Sequence, residues 1–402
     1  MATGYAVAHG QSPYVLLNVS QVFGSSAFPD PVPGIGYPPP WGFILAAAYL
    51  VSYDLFPSLL AYNLAVKVPV VIGNILLALL VGKMVRSQTS DASLSRSATN
   101  LMLFNPFVIY TTSVWGQFDT LVTLLMLLAL FWSAQGKSLF SAAALGTSIS
   151  LKLLPAVLLP LMALYEGKRR GWPRALLYSV CVLAVVAISL APFQLRWSLS
   201  PIMNNWSIHF EHVGAFSPMN VLVPPGVNDF PNGLHFLGYL WLPLMIAMYC
   251  LLSRRRIDKL QDLVPSSLIL MLVLSLSRAW VSEQNLNLVL PLVLLGTTSE
   301  RWSRKWFAIT WLLPLVFALL NSSPLLMFSL IVPEQTLKTI SPHTYGPEIV
   351  HYGRILVTTA WLTIGATLVK KSMDALSDPQ RATFVRSQAF PLSAFAARKQ
   401  SA

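Results

Sequence analysis

Charge is what this sequence has least of. Asp, Glu, Lys and Arg together make up 10% of the 402 residues, and only 15 of them are acidic. A water-soluble fold of this length needs a charged shell, and a chain that is 55% hydrophobic with a mean hydropathy of +0.61 cannot supply one. Cysteine is nearly missing too. Cys181 and Cys250 both lie in apolar stretches, which leaves no disulfide framework and no cysteine metal site. No dinucleotide-type glycine fingerprint is present, so nothing supports a Rossmann-like nucleotide site. The opening "MATGYAVAHGQSPY" has neither a charged n-region nor an apolar h-region and does not read as a signal peptide.

What the chain has instead is length in its apolar runs. They recur at 41–56, 57–82, 100–114, 120–132, 141–165, 175–194, 236–253, 263–279, 285–299, 306–332 and 353–369. Closed barrels show short alternating segments, so these runs predict an all-α fold, a polytopic transmembrane helix bundle of about 9 to 11 segments. The exterior loops are expected to carry short helices.

The net charge of +12 is not spread evenly. Basic residues gather in short breaks between apolar runs: Lys168, Arg169, Arg170 and Arg174; Arg254, Arg255, Arg256 and Lys259; Arg301, Arg304 and Lys305; Lys370 and Lys371. That is a topology signal for a multi-pass cell-membrane protein and not a nucleic-acid patch. Two runs between successive breaks make 195–235, 280–285 and 333–352 exterior. The chain then divides into an exterior segment 1–40, a helical membrane domain 41–370 with its large exterior loop 195–235, and a polar cytoplasmic tail 371–402 expected to be disordered. Upstream, two arrangements stay open. Either 141–165 crosses once, which puts Lys83, Arg86 and Arg96 outside, or it breaks at Lys152 and Pro155 and returns, which puts 83–99 inside and Trp115 to Asp119 outside.

Polar side chains inside apolar runs need a partner or a purpose. Asn105, Gln117 and Asp119 in "NPFVIYTTSVWGQFDTLVTLLMLLALFW" are such groups, and so is Lys152, which should pair with Asp119 or face an anion. Asp30, between two prolines, is either a turn residue or a base. Arg278 and Glu283 bracket an exterior helix boundary, where Arg278 suits bidentate phosphate binding and Glu283 would orient a donor or a divalent cation. Their plain alternative is one interfacial salt bridge. His209, Glu211 and His212 lack a third ligand at metal-site spacing, so no metal site is expected there.

The order Gly10 to Tyr14 (GQSPY), Tyr37 to Pro39 (YPP), Lys67 to Pro69 (KVP), Asn105 with Trp115 to Asp119 (NP, then WGQFD), Lys152 to Pro160 (KLLPAVLLP) and Ser282 to Leu295 (SEQNLNLVLPLVLL) resembles the integral-membrane glycosyltransferases of the C superfamily. The polyprenyl-phosphate-mannose-dependent enzymes are the nearest in flavour. The resemblance implies two exterior loops, here 1–40 and 195–235, over a cavity where a lipid-phosphate-linked sugar meets a glycan or lipid acceptor. It implies inverting transfer, with a carboxylate taking the acceptor proton and cations steadying the departing phosphate. Asp30 and Asp119 are then the candidate catalytic carboxylates, and Asn105, Gln117, Lys152, Arg278 and Glu283 the donor-binding set. No cofactor is required beyond a possible divalent cation. The family's usual base is an Asp a few residues before the tyrosine matching Tyr5, which places it, and a first helix, before Met1. A secondary transporter or a scaffold that kept this fold without its base are the competing readings.

Overall fold

The structure, a computed structural model, describes residues 1–24, 31–32, 34–198, 200, 212–299, 302–321 and 347–377. It is a helix bundle with almost no strand. Among the described residues five helices are long and apolar enough to cross a membrane: Leu59–Thr89, Trp172–Arg196, His235–Ser253, Leu260–Ser277 and Val350–Ser377. A sixth candidate is the pair Pro106–Val114 and Asp119–Ala134, bent by 120° at the intervening turn. Pro40–Leu50, Ser138–Leu151 and Lys305–Leu320 are apolar but shorter. These account for five or six of the roughly 9 to 11 segments expected from run lengths.

Local chemistry sets the helix ends. The Ser58 hydroxyl accepts from Ala61 N at 3.3 Å and starts Leu59–Thr89, whose length of about 46 Å exceeds the hydrocarbon thickness. Ser90, at φ 57°, stops it. The Asp91 carboxylate then accepts from Ser93 N and Leu94 N and starts Ala92–Leu103.

The return of the chain at Lys152 is built by serines. Ser148 Oγ donates to Val122 O and Ser141 Oγ to Ala129 O, each at 2.8 Å, so Ser138–Leu151 runs antiparallel to Asp119–Ala134. Gly146 lets the same helix press on Trp172–Arg196, because a Cβ there would lie 2.7 Å from Val185 Cβ. Lys152 is extended (φ −155°), a 3-10 turn covers Leu154–Leu158, and Leu159–Arg170 travels back. At its far end buried Glu166 accepts from Ser133 Oγ at 2.5 Å and Ser138 Oγ at 2.8 Å, while Arg170 Nη2 donates to Gly136 O. Both ends of 138–170 therefore sit together.

This settles the geometry that the sequence left open: the 141–165 run turns at Lys152 and returns. Lys83 Nζ lies over the Phe131 ring, and Lys168 Nζ donates to Ser253 O and Arg255 O. Lys371 lies over Trp306. The basic breaks thus share one end of the bundle. At the opposite end Trp197 Nε1 donates to Gly10 O, and the two-residue parallel pair Gly214–Ala215 with Trp280–Val281 docks the later loop. Short helices Ala2–Ala8 and Ser20–Phe23 occupy the first loop, and 3-10 turns Pro218–Leu222 and His235–Tyr239 the later one.

Candidate functional site

The antiparallel register that pairs Val122 with Ser148 brings Asp119, the first residue of its helix, opposite Lys152, where the next helix breaks. Lys152 Nζ stands 2.6 Å from Asp119 Oδ1; Asp119 is fully buried and the lysine side chain is 10% exposed. Asp119 Oδ2 is buried with no hydrogen-bond partner among the described residues.

Aromatic rings from the first loop roof this pair. Trp41 stacks on Phe118 at 4.4 Å between centroids, and Tyr37 meets Phe118 edge-on at 5.0 Å. Lys152 Nζ is 5.5 Å from the Tyr37 ring and 5.9 Å from the Phe118 ring. The turn before Phe118 holds Gly116 at φ +81°, its Cα face open to the Lys67 stem, whose Cε would be 3.5 Å from an added Cβ. Lys67 is half-buried and has no ion pair among the described residues.

A second wall comes from the turn Glu283–Leu288. Asn287 Nδ2 donates to Thr111 Oγ1 at 3.0 Å and ties that turn to the bent pair. Glu283 is 3% exposed. Burial pushes its carboxyl above the ordinary range, a backbone hydrogen bond and Arg354 pull it back, and Asp119 pushes it further up. Arg278 forms no ion pair with Glu283 among the described residues, so the salt-bridge alternative is not met, and Arg354 is the cation that acts on the Glu283 carboxyl. Arg278 instead sits beside Leu154 and Asn285, two residues past the Lys152 break, with no ion pair among the described residues. Burial lowers it to about 10, which still leaves it charged at neutral pH. Its carbonyl accepts from Ser217 Oγ at 2.8 Å, so the later exterior loop is anchored at the same point.

The structure thus joins Asp119 to Lys152, with Glu283 near enough to feel the Asp119 charge and Gln117 half-buried two residues from Asp119, while Arg278 stands to one side beside Leu154. Asn105 makes no hydrogen bond or ion pair with them among the described residues. Its Oδ1 accepts from Phe107 N and Val108 N at 3.1 Å, capping Pro106–Ile109. Asp30, His209 and Glu211 lie outside the described residues, and so does the tail from 378. His212 pairs with Asp229 across an isolated bridge. No group of three His, Cys, Asp or Glu side chains suited to a metal occurs among the described residues.

Arg354 was not singled out from the sequence, although an Arg inside the apolar run 353–369 is itself a signal. Tyr37, Trp41 and Phe118 could not be found that way, because interfacial aromatics are common in every membrane protein. Chemically the arrangement offers two buried carboxylates, cations within the same wall and an aromatic roof: parts suited to moving a proton and holding an anion under a flat or ringed group.

A family model, Glycosyltransferase family 87, matches residues 36–277. The span includes Tyr37, Trp41, Lys67, Gln117, Asp119 and Lys152, and ends one residue before Arg278. No curated protein matches the chain.

Proposed function

The chain belongs to glycosyltransferase family 87, a family of membrane glycosyltransferases like those of the C superfamily, and from that premise we propose that it moves a hexose, mannose being the expected sugar, from a polyprenyl-phosphate donor to a glycan- or lipid-linked acceptor. The reaction takes place at the end of the bundle opposite the basic breaks, which the positive-inside rule makes the exterior face, with the C-terminus cytoplasmic. The observation that carries the reading is the buried Asp119–Lys152 pair under the roof of Tyr37, Trp41 and Phe118.

In inverting transfer the acceptor oxygen attacks the anomeric carbon from the face opposite the phosphate. The carbon–oxygen bond to phosphate breaks, the electron pair leaves with the polyprenyl phosphate, and the acceptor proton passes to a carboxylate. Arg278 has the planar fork and the unneutralised charge that a departing phosphate needs, and Lys67 is a second cation beside the Gly116 turn. Lys152 holds one oxygen of Asp119 and leaves Oδ2 to accept a proton or a hydroxyl. Asp30 remains the other proposed base, and Gln117 completes the proposed donor set.

The ion pair also supports a second reading, in which Asp119 and Lys152 only hold the helices and the protein is a scaffold. Purified protein given labelled polyprenyl-phosphate-mannose and a lipid-linked glycan acceptor separates the two. Transfer with inverted configuration, lost in Asp119→Asn while folded yield persists, supports the enzyme. Full transfer by that variant removes Asp119 from the chemistry, and no transfer from any polyprenyl-phosphate hexose overturns the donor assignment.

A further inference from the structure

A groove separate from this cluster opens near the basic end. It has a volume of about 560 Å³ and lies between Ala92–Leu103 and the helix beginning at Lys305. Ser95 Oγ donates to Gly82 O, next to Lys83, whose ammonium sits over Phe131. Phe131 is about 18 Å along its helix from Asp119, so the groove mouth is remote from the carboxylates.

One side of the groove is a polar ladder. Ser93, Arg96, Ser97 and Asn100 recur at the spacing that places them on one helix face, and all four line the groove. Arg96 is exposed and has no ion pair among the described residues. Asn105 lines the inner end; it is 2% exposed, and its Nδ2 has no hydrogen-bond partner among the described residues because only Oδ1 is used by the helix cap. Facing the ladder are Phe307 and Trp311, and Phe104, 68% exposed, ends the ladder's own helix. The lining contains a cation and amide donors but no acidic side chain. Arg304 and Lys305 stand at the start of the helix that carries Phe307.

Polar groups descending from a cation into an apolar layer, opposite aromatic rings, match one amphiphile in order and depth. We propose that the groove holds an anionic glycerophospholipid of the leaflet at the basic end. Its phosphate pairs with Arg96 and Ser93, its ester carbonyls accept from Asn100 and Asn105, and an acyl chain lies along Phe104, Phe307 and Trp311. The ester oxygens satisfy the buried Asn105 amide, which hydrocarbon alone would leave costly. Charge at the mouth favours an anionic headgroup over a zwitterionic one.

The test is lipid retention by the purified full chain in detergent, read by native mass spectrometry after addition of phosphatidylglycerol or phosphatidylcholine. Wild-type protein is expected to keep phosphatidylglycerol several-fold more than phosphatidylcholine. Arg96→Gln should reduce that retention to the phosphatidylcholine level and Asn100→Leu should weaken both lipids, while Arg174→Gln, a basic residue at the same end but outside the groove, should leave the preference intact. Equal retention of the two lipids, an unchanged preference in Arg96→Gln, or an equal loss in Arg174→Gln overturns the proposal. Displacement of phosphatidylglycerol by millimolar inorganic phosphate alone would overturn the lipid assignment and leave a simple anion site.

Discussion

Asp119 and Lys152 form a buried ion pair 2.6 Å long that joins the first residue of one membrane helix to the break that ends the next. The pair is the hinge of the local fold: without the break at Lys152 the helix would continue, and Leu159–Arg170 would not return to place Glu166 against Ser133 and Ser138. Taking either charge out strands the other in a nearly dry site.

Lys152→Met alone is therefore expected to destabilise the protein by about 3–5 kcal/mol, as breaking one side of a buried pair does. The double variant Asp119→Leu with Lys152→Met should recover much of that loss. Thermal unfolding in detergent measures both, and a double variant no better than the single one would show that the pair is not the source of the cost.

Glu166 gives a control at the other end of the same hairpin. Its carboxylate is 1% exposed and accepts two serine hydroxyls. Glu166→Ala should cost about 1.5–3 kcal/mol for hydrogen bonds to a charged group, with transfer per folded molecule unchanged. A fall in specific activity larger than the loss of folded protein would place Glu166 in the reaction, contrary to expectation.

Gly116 holds φ +81° immediately before the aromatic and acidic residues of the site. Gly116→Val forces a β-branched residue into the left-handed region, at about 1–3 kcal/mol, and presses on the Lys67 stem. Activity is expected to fall further than stability, because the turn aims Phe118 and Asp119. Equal falls in the two would reduce Gly116 to a backbone role.

Arg278 is charged, nearly enclosed and unpaired among the described residues. If it receives the donor phosphate, Arg278→Lys loses the bidentate fork and should raise the donor KM about tenfold, close to 1.4 kcal/mol, with the acceptor KM unmoved. Steady-state kinetics with each substrate varied in turn separates these. A rise confined to the acceptor KM would reassign the residue.

Glu283 predicts a pH effect whose sign is fixed. Burial raises its carboxyl above the ordinary 4.5, so the folded protein binds that proton more tightly than the unfolded chain. The stabilisation is complete below 4.5 and is lost as pH rises through the raised value. Glu283→Gln should flatten this part of the stability profile and hold its folded yield better toward neutral pH, as followed by thermal unfolding across pH. A variant with the same profile as wild type would mean that Arg354 already neutralises the burial cost.

The sequence determined the class of this protein by itself. Long runs without charge must satisfy their own backbone hydrogen bonds in lipid, which dictates helices, and clustered Lys and Arg mark one end of them. The same logic flagged Asp119, Lys152, Arg278 and Glu283, because ionisable groups in or beside apolar runs are conspicuous without any coordinates. Tertiary structure alone decided three things. It chose the return at Lys152, since run length cannot distinguish a kinked crossing from a hairpin and the choice rests on serine bonds between successive helices. It left Arg278 without an ion pair to Glu283 and set Arg354, 71 positions away in sequence, where its charge acts on that carboxyl. And it gave Asn105 a helix cap, its Oδ1 accepting from Phe107 N and Val108 N, which a polar residue in an apolar run does not reveal by itself.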